Sequence, residues 1–316
     1  MKKRIFAAVM ACVFMLGAAG CSNNKDNKQQ PQEAETRVIT DANGEVTIPA
    51  APKRIVDLSG NSDTLALLGF QVVGTCNSDA YDYTKFPSYL EETLKGALIL
   101  GYSMSETVDI ESVIALEPDL IVISKTQEKS YTQLSEIAPT IMIELAQMDW
   151  KEDFMKVAAL MDREDVAKKW LADYEAKAKE LGNEVKSYMG EDATYLSFLA
   201  SYGSIFVFDG AGLGSFMYED LGLARPENLP EQENVSLPVV TLEGLAEIEA
   251  DYLIGVGTDE DIQTLEKSSI WTSMENVKNN KYKMLPSSPY FNQGYSPVGR
   301  QLLIEEVRSY IDELTK

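Results

Sequence analysis

One seventeen-residue segment occurs twice in this chain, and the repeat restricts the folds that the chain can adopt. The first copy, VDIESVIALEPDLIVIS, runs from Val108 to Ser124, and the second, VTLEGLAEIEADYLIGV, begins at Val240. Aligning the copies places Glu111 on Glu243. Each copy predicts a short helix, a turn that contains Pro118 in the first copy and Ala250 in the second, and a buried strand. We therefore expect two similar lobes.

A long helical pattern lies between the two copies. From about Arg163 to Tyr188 there is no Pro and the only Gly is Gly182, while Trp170 and Tyr174 belong to a set of apolar residues at helical spacing. The pattern predicts one helix of about seven turns at 3.6 residues per turn. Its position between the repeats indicates that it joins the two lobes.

The rest of the chain alternates between strand and helix patterns. An Asn43-Gly44 pair between two β-prone runs predicts a hairpin over residues 37–49. Strands are predicted at 54–58, 71–75, 120–123, 140–144, 194–200 and 252–256. Helices are predicted at 62–68, 111–116, 216–221, 243–248 and 297–314. Such alternation is typical of βαβ units with parallel sheets.

The predicted fold class is therefore α/β, with two Rossmann-like lobes joined by a single long backbone helix. The expected boundaries are 37–160 for the N-terminal lobe, 161–190 for the backbone helix and 191–316 for the C-terminal lobe. A length of 316 residues is consistent with two domains.

The N-terminus has the pattern of an export signal followed by a lipid-attachment cysteine. A basic start and an apolar run too short to span a bilayer predict a signal peptide at 1–20. Cys21 then stands where bacterial lipoproteins are acylated, and the polar segment 21–36 predicts a flexible tether. With Cys12 in the signal and Cys21 acylated, Cys76 is left without a disulfide partner.

The composition excludes several classes of partner. The chain has a formal net charge of -22 and contains no His. Such an acidic surface repels nucleic acid and gains nothing from anionic lipid. Attachment to a membrane therefore depends on the predicted lipid at Cys21.

Three motifs carry a resemblance to a known family. GEVTIPAAPKRIV, the downstream LALLGFQVVGT and VDIESVIALEPDLIVIS together resemble the helical-backbone class (class III) of periplasmic binding proteins of ABC importers. In particular, the chain resembles the iron–siderophore binding lipoproteins of Gram-positive bacteria, and the similarity covers nearly all of the mature chain.

The resemblance implies a monomeric lipoprotein at the extracellular face of the cell membrane, with no cofactor and no enzymatic activity. It implies that a ferric siderophore is held between the lobes and delivered to an ABC permease and its ATPase. It also implies that one Glu on each lobe docks to arginines of the permease, and Glu111 and Glu243 hold those positions. From the residues alone, both also suit helix starts, because Asp109 and Thr241 are N-cap residue types.

Candidate ligand contacts lie in loops beyond the carboxyl ends of the predicted strands, where α/β folds bind ligands. In the first lobe these are Asn61, Tyr102, Ser103 and Lys125. In the second they are Ser201, Tyr202, Gly210, Gly212, Arg225, Tyr290, Phe291 and Tyr295. The alternative for the aromatic residues is core packing, for the glycines a tight turn, and for Lys125 and Arg225 a solvated surface charge.

The residue types restrict the classes of ligand that the candidate loops can bind. Absence of His argues against bare zinc or manganese and against His-ligated haem, so no direct metal site is expected, whereas haem on Tyr or Met stays open. Ferric catecholates and ferric citrate are strongly anionic and call for several cations, and the candidate loops offer Lys125, Arg225 and Arg300. Rings, hydroxyls and amides dominate, which favours a neutral or cationic ferric hydroxamate. Catecholate, citrate and other chelates such as cobalamin or haem remain alternatives.

Two further classes of function stay open. A surface-anchored enzyme would need an acid–base pair of carboxylates or an activated Cys76, since His-dependent nucleophiles are impossible here. A tethered adhesion or interaction module would need no cleft. A cleft that holds a small ligand separates both from the binding-protein hypothesis.

Overall fold

The structure is a computed structural model that describes residues 35–314. From Glu35 onward the chain forms one compact unit. The predicted signal peptide 1–20, Cys21 and nearly all of the predicted tether lie outside the described residues. Within residues 35–314, no helix is both long enough and apolar enough to cross a membrane.

The chain enters the fold through the predicted hairpin. Strands β1 (Thr36–Asp41) and β2 (Gly44–Pro49) pair antiparallel. Gly44 has a φ of +123°, a value that favours glycine and explains the Asn-Gly turn signal. The hairpin is anchored on the first lobe, because the Asp41 carboxylate accepts the Met142 N–H at 2.7 Å.

The N-terminal lobe is built on a five-stranded parallel sheet in the order β5-β4-β3-β6-β7. Its strands are β3 (Ile55–Asp57), β4 (Val72–Asn77), β5 (Leu98–Tyr102), β6 (Leu120–Ser124) and β7 (Thr140–Ile143). Strands β3, β6 and β7 are buried nearly throughout, as expected of a parallel sheet covered on both faces.

Short helices cover this sheet. They are α1 (Ser62–Leu67), α2 (Ile110–Ala115), α3 (Tyr131–Ser135) and α4 (Trp150–Leu160), with 3₁₀ turns at Ser88–Leu90 and Lys125–Ser130. Helix α2 begins as predicted, because the Asp109 side chain accepts the Ser112 N–H at 3.1 Å.

The predicted backbone helix is confirmed as α5 (Glu164–Met189), a single 26-residue helix. Near its end α5 comes very close to the second lobe at Gly182. A Cβ there would lie 1.9 Å from the Leu221 carbonyl oxygen. The single glycine of the helix is therefore required by a close approach of two backbones rather than by flexibility.

The C-terminal lobe has a mixed five-stranded sheet in the order β10-β9-β8-β11-β12. Its strands are β8 (Tyr195–Ser201), β9 (Ser204–Phe208), β10 (Val239–Val240), β11 (Tyr252–Gly257) and β12 (Tyr282–Pro286). Strands β8, β11 and β12 are parallel, whereas β9 turns back antiparallel to β8 and pairs with β10.

The helices of this lobe are α6 (Gly212–Ser215), α7 (Leu242–Glu247), α8 (Asp259–Glu266), α9 (Ser269–Ser273), α10 (Glu275–Lys278), α11 (Ser287–Gln293) and α12 (Pro297–Leu314). The helix predicted at 216–221 is instead a π-helical turn, Phe216–Asp220, that continues α6. Thr241 caps α7 as predicted, because its hydroxyl accepts the Gly244 N–H at 3.0 Å.

The last helix connects the two lobes a second time. Helix α12 packs against α5 and also against α1 of the N-terminal lobe. Its residues Val298 and Leu302 pack on a small apolar cluster of Tyr89, Leu90 and Leu94. The lobes are thus joined covalently by α5 and by packing through α12. The predicted class, two α/β lobes on one long helix, is confirmed.

Candidate ligand-binding site

The N-terminal wall of the interlobe cleft consists of loops that follow parallel strands. Ser59 to Asn61 follow β3, Ser78 follows β4, and Ser103 and Met104 follow β5. Because β3 lies between β4 and β6, the chain leaves it toward one side and returns on the other. This is the crevice where open α/β sheets bind ligands.

A buried carboxylate shapes the first of these loops. Asp57 is fully buried at the end of β3 and accepts the N–H groups of Ser59 and Asn61 at 3.1 and 2.9 Å. It also accepts the hydroxyl of Ser62 at 2.6 Å. Burial raises the pKa of Asp57, and these hydrogen bonds oppose that shift. The network fixes the loop that presents Asn61 to the cleft.

The C-terminal wall is built differently, because a sheet face and a helix start form it. Leu199 and Phe206 come from the antiparallel pair β8 and β9. A loop before β10 adds Val235, and the segment from Phe291 to Pro297, between α11 and α12, completes the wall.

An aromatic group closes the cleft where the lobes meet. Trp150 lines the cavity and packs edge-on against Trp170 and Tyr174, at ring-centroid distances of 6.2 and 5.1 Å. Behind it, the Arg300 guanidinium lies 4.8 Å from the Trp150 ring centroid. Arg300 is buried and donates to Asp220 at 2.5 Å, so its charge is paired.

These walls enclose a cavity of about 640 Å³. Its lining is mainly aromatic and aliphatic side chains with hydroxyls and amides, as in small-molecule sites. Two lining residues are charged, Asp63 and Asp153, and both are acidic. Among residues 35–314, no Lys or Arg lines this cavity.

Five of the twelve candidate ligand contacts line the cavity: Asn61, Tyr102, Ser103, Phe291 and Tyr295. Tyr102 stacks on Tyr83 with ring centroids 5.5 Å apart. Tyr295 fits closely over Gly212, where a Cβ would lie 2.9 Å from the ring. Burial raises the pKa of the Tyr295 hydroxyl to about 12, so it stays a neutral donor at physiological pH.

Three candidates lie away from the cavity lining because a surface turn follows β6 and a hairpin follows β8. Lys125 begins a 3₁₀ turn and pairs with Glu128 at 3.0 Å on the surface. Ser201 and Tyr202 belong to the β8–β9 hairpin rather than to a strand–helix loop. Ser201 is hydrogen-bonded to Tyr81, and Tyr202 is 96% exposed at the turn.

The other four candidates support the wall from behind. Gly212 has a φ of +57°, and its carbonyl accepts the Arg300 guanidinium at 3.1 Å. Gly210 lies against Met148, and Arg225 pairs with Asp209 at 2.7 Å. Tyr290 packs on the C-terminal core. Each has a structural contact that accounts for its residue type.

Some site residues were not among the sequence candidates. Gln127 is buried and donates to the carbonyls of Ser103 and Ser105 at 2.7 and 3.1 Å, which holds the loop after β5. Trp150 and Asn292 line the cavity. Asn292 lies next to Phe291, so its position in that aromatic loop was the available signal. Trp150 is the first residue of α4, a helix that the sequence analysis did not predict.

Two observations concern the metal and nucleophile alternatives. Within the described residues, no group of three or more His, Cys, Asp or Glu side chains is placed to hold a metal ion. Cys76 is a buried free thiol, and burial, together with the charge of Asp57, raises its pKa to about 12. The thiol is therefore protonated at neutral pH and a poor nucleophile.

The two glutamates of the repeat occupy equivalent exposed positions. Glu111 lies in the first turn of α2 and Glu243 in the first turn of α7. Both side chains are available to an external partner.

Comparisons with known proteins identify the family. The sequence signature described as "Periplasmic binding protein" matches residues 60–289. The chain is 32% identical to the iron(3+)-hydroxamate-binding protein FhuD of Bacillus subtilis (strain 168), over 96% of this chain and 97% of that protein. It is 29% identical to the probable siderophore-binding lipoprotein YfiY of the same organism, over 89% and 88%.

A solved structure agrees with the fold. A crystal structure from Bacillus subtilis, described as a periplasmic binding protein component of a Fep/Fec-like ferrichrome ABC transporter, superposes with a TM-score of 0.70 at 26% identity. The match covers 88% of this chain and all of that one. Two α/β lobes on one long helix, a cavity between them and these matches together show that the chain belongs to the periplasmic binding protein family.

Proposed function

We propose that this protein captures a ferric siderophore, of the hydroxamate type, in the interlobe cavity and delivers it to an ABC permease. One observation carries the proposal: the cavity is lined by rings, hydroxyls and amides, and no cationic side chain of the described residues lines it. Such a lining suits a neutral or cationic chelate, whereas catecholate and citrate complexes would require cations to balance their charge.

The proposed ligand contacts are the five candidates that line the cavity, Asn61, Tyr102, Ser103, Phe291 and Tyr295. The rings supply apolar area and the polar groups supply orientation. The printed names of the relatives support the ligand class, since one is an iron(3+)-hydroxamate-binding protein and another a probable siderophore-binding lipoprotein. The proposed lobes are residues 37–160 and 191–316, on either side of the helix region 161–190.

A titration of the purified protein tests the ligand class. Ferric trihydroxamate, ferric catecholate and ferric citrate are added separately, and quenching of Trp and Tyr fluorescence is followed. We expect saturable quenching by the hydroxamate at submicromolar concentration, because Trp150 lines the cavity. A flat hydroxamate titration beside a saturable one with catecholate or citrate would reassign the ligand.

A matched pair of tyrosine variants tests the location of the site. Tyr102→Ala removes a ring that lines the cavity, whereas Tyr202→Ala removes a ring that is 96% exposed outside it. We expect the first to weaken binding about tenfold and the second to leave it within about twofold. The reverse result would move the site to the β8–β9 hairpin.

The location and partners complete the proposal. We infer a lipid anchor on Cys21, a monomer at the extracellular face of the cell membrane, and docking to a permease through Glu111 and Glu243. The anchor is tested by growing cells with a palmitate analogue. Cys21→Ser should abolish labelling, and Cys76→Ser, at the buried thiol, should not.

A further inference from the structure

The N-terminal wall of the cavity contains two buried carboxyl groups, at the end of β3 and in α1, without a matching cation. Asp57 is fully buried and Asp63, which lines the cavity, is 6% exposed. The partners that the structure gives to both are hydroxyls and backbone N–H groups. A buried carboxylate without a cation is costly, and burial raises the pKa of Asp63 accordingly.

The other charges around the cavity are already paired. Asp153, the second lining carboxylate, accepts two backbone N–H groups at 3.1 and 2.7 Å and has the ammonium of Lys156 at 3.6 Å. Behind Trp150, Arg300 and Lys151 share Asp220 at 2.5 and 3.2 Å. Of the two carboxyl groups that line the cavity, Asp63 is therefore the one for which the described residues provide no cation within ion-pair distance.

A second acceptor lies next to this wall. Asn292 lines the cavity and donates its amide N–H to the Ser78 carbonyl at 2.6 Å. Its side-chain carbonyl oxygen is buried and has no hydrogen-bond partner. Four residues further along the chain, Ser296 donates to the Asp63 carboxylate. The segment 292–296 thus carries an unused acceptor and also contacts a carboxylate without a cation, and both groups would be satisfied by a cationic donor.

We propose that the ligand carries a protonated amine outside the iron coordination sphere, and that Asp63, with the Asn292 carbonyl oxygen of the same cavity, selects this cationic ferric hydroxamate over neutral and anionic ones. The inference rests on the proposed function. It adds that the ligand is cationic and that Asp63 recognises this charge. An ammonium group beside Asp63 opposes the rise in pKa that burial causes, so the ionised carboxylate supplies the opposite charge in a poorly hydrated site, and the Asn292 carbonyl accepts from the same group.

A purely structural role for Asp63 makes a different prediction. Its bond to Ser296 joins the two lobes, so loss of the carboxylate could simply loosen the cleft. In that case two ligands of the same shape and different charge would lose affinity equally. A comparison of two ligands that differ only in charge therefore distinguishes charge selection by Asp63 from a purely structural role of Asp63.

The experiment compares two ferric complexes of one linear trihydroxamate, one with a free terminal amine and the other with that amine acetylated. Affinity for the full-length protein is measured by fluorescence quenching at neutral pH. We expect the free amine to bind about tenfold more tightly to the wild type. Asp63→Asn should reduce this ratio to about twofold or less, mainly by weakening the amine complex.

Two control variants keep the test decisive if Asp63→Asn is unstable. Ser296→Ala breaks the bond between the lobes but keeps the Asp63 charge, so the ratio should stay near its wild-type value. Asp79→Asn removes another buried carboxylate at the same lobe junction. The Asp79 carboxylate accepts the Ser288 hydroxyl at 2.5 Å but does not line the cavity. Asp79→Asn should therefore preserve most of the affinity ratio between the amine complex and the acetylated complex.

Three results would overturn the inference. Equal affinity of the wild type for the two complexes would reject the proposed selectivity for a cationic ligand and would leave the proposed function intact. An equal loss of both complexes in Asp63→Asn, or a ratio abolished by Ser296→Ala, would make Asp63 a supporting residue only. Failure of both complexes to bind the wild type would instead reject the proposed function itself.

Discussion

Ser296 of the C-terminal lobe donates its hydroxyl to the Asp63 carboxylate of the N-terminal lobe across the cleft. The same segment makes a second crossing four residues earlier, where Asn292 donates to the Ser78 carbonyl. These bonds hold the stretch that carries Phe291 against the opposite wall. The width of the cleft is therefore set by contacts of the α11–α12 segment in addition to the rigid helix α5.

Loss of the Ser296 hydroxyl should destabilise the protein and weaken the junction of the lobes. Ser296→Ala leaves the buried Asp63 carboxylate without its hydroxyl donor, which we expect to cost about 1–3 kcal/mol of unfolding free energy. Urea denaturation measures the change. Ser309→Ala, at an exposed position of helix α12, which follows Ser296, is the control and should stay within about 0.5 kcal/mol.

Asp63 should also give the protein a measurable pH dependence. Burial raises its folded-state pKa above the unfolded value, so the folded state binds the proton more tightly. Its contribution to stability is then full below the unfolded pKa and is lost as the pH rises through the folded pKa. We expect the stability of Asp63→Asn relative to the wild type to improve as the pH is raised from about 4 to 7.

Asp109 provides a control with the opposite sign. Hydrogen bonds from the Ser112 side chain and backbone lower the pKa of this exposed N-cap. Its contribution is present above the unfolded pKa and is lost as the pH falls through the folded pKa. Asp109→Asn should therefore become less stable relative to the wild type over the same rise in pH. If the unfolding free energy of Asp63→Asn varied with pH in parallel with that of the wild type, the argument that burial raises the pKa of Asp63 would be contradicted.

The buried Arg300 should be among the most sensitive positions in the fold. Its guanidinium donates to Asp220, Gly294 and Gly212, so it joins the π-helical turn, the α11–α12 turn and the start of α6. Arg300→Met leaves the buried Asp220 carboxylate with the Lys151 ammonium and the Tyr174 hydroxyl as its remaining partners, and we expect a loss of about 3–5 kcal/mol. Chemical denaturation measures the loss.

A second arginine of α12 is the matched control. Arg308 is 39% exposed and its ion pairs with Glu180 and Glu184 are 3.5 Å long. Arg308→Met should cost no more than about 1 kcal/mol, because exposed pairs contribute little. Equal losses in the two variants would mean that Arg300 acts as an ordinary surface charge.

Local sequence signals predicted much of the fold. The Asn43-Gly44 turn, the N-caps Asp109 and Thr241, and the long α5 are confirmed because each depends on residues a few positions apart. Their physical causes are turn geometry, capping and helical periodicity, all of which are visible in a short window.

Other parts depend on contacts that no short window contains. The chain reverses after Ser201 through Tyr202 and Gly203, both with positive φ, which the strand pattern did not reveal. The pairing of Arg300 with Asp220 and of Ser296 with Asp63 joins residues 80 and 233 positions apart. For this reason Phe291 and Tyr295 of the C-terminal wall could be predicted from their loop, whereas the part of that wall formed by the β8–β9 pair could not.

The repeat itself leads to a test of transport. Glu111 and Glu243 lie exposed in the first turns of α2 and α7, and neither lines the cavity. We expect Glu111→Gln with Glu243→Gln to leave siderophore affinity unchanged and to reduce uptake of radioactive ferric siderophore by intact cells at least about tenfold, because buried charge pairs at interfaces are costly to break. Glu117→Gln with Glu249→Gln changes the other matched, exposed pair of the repeat and should transport normally. Normal uptake by the first double variant would show that the repeat serves helix capping alone.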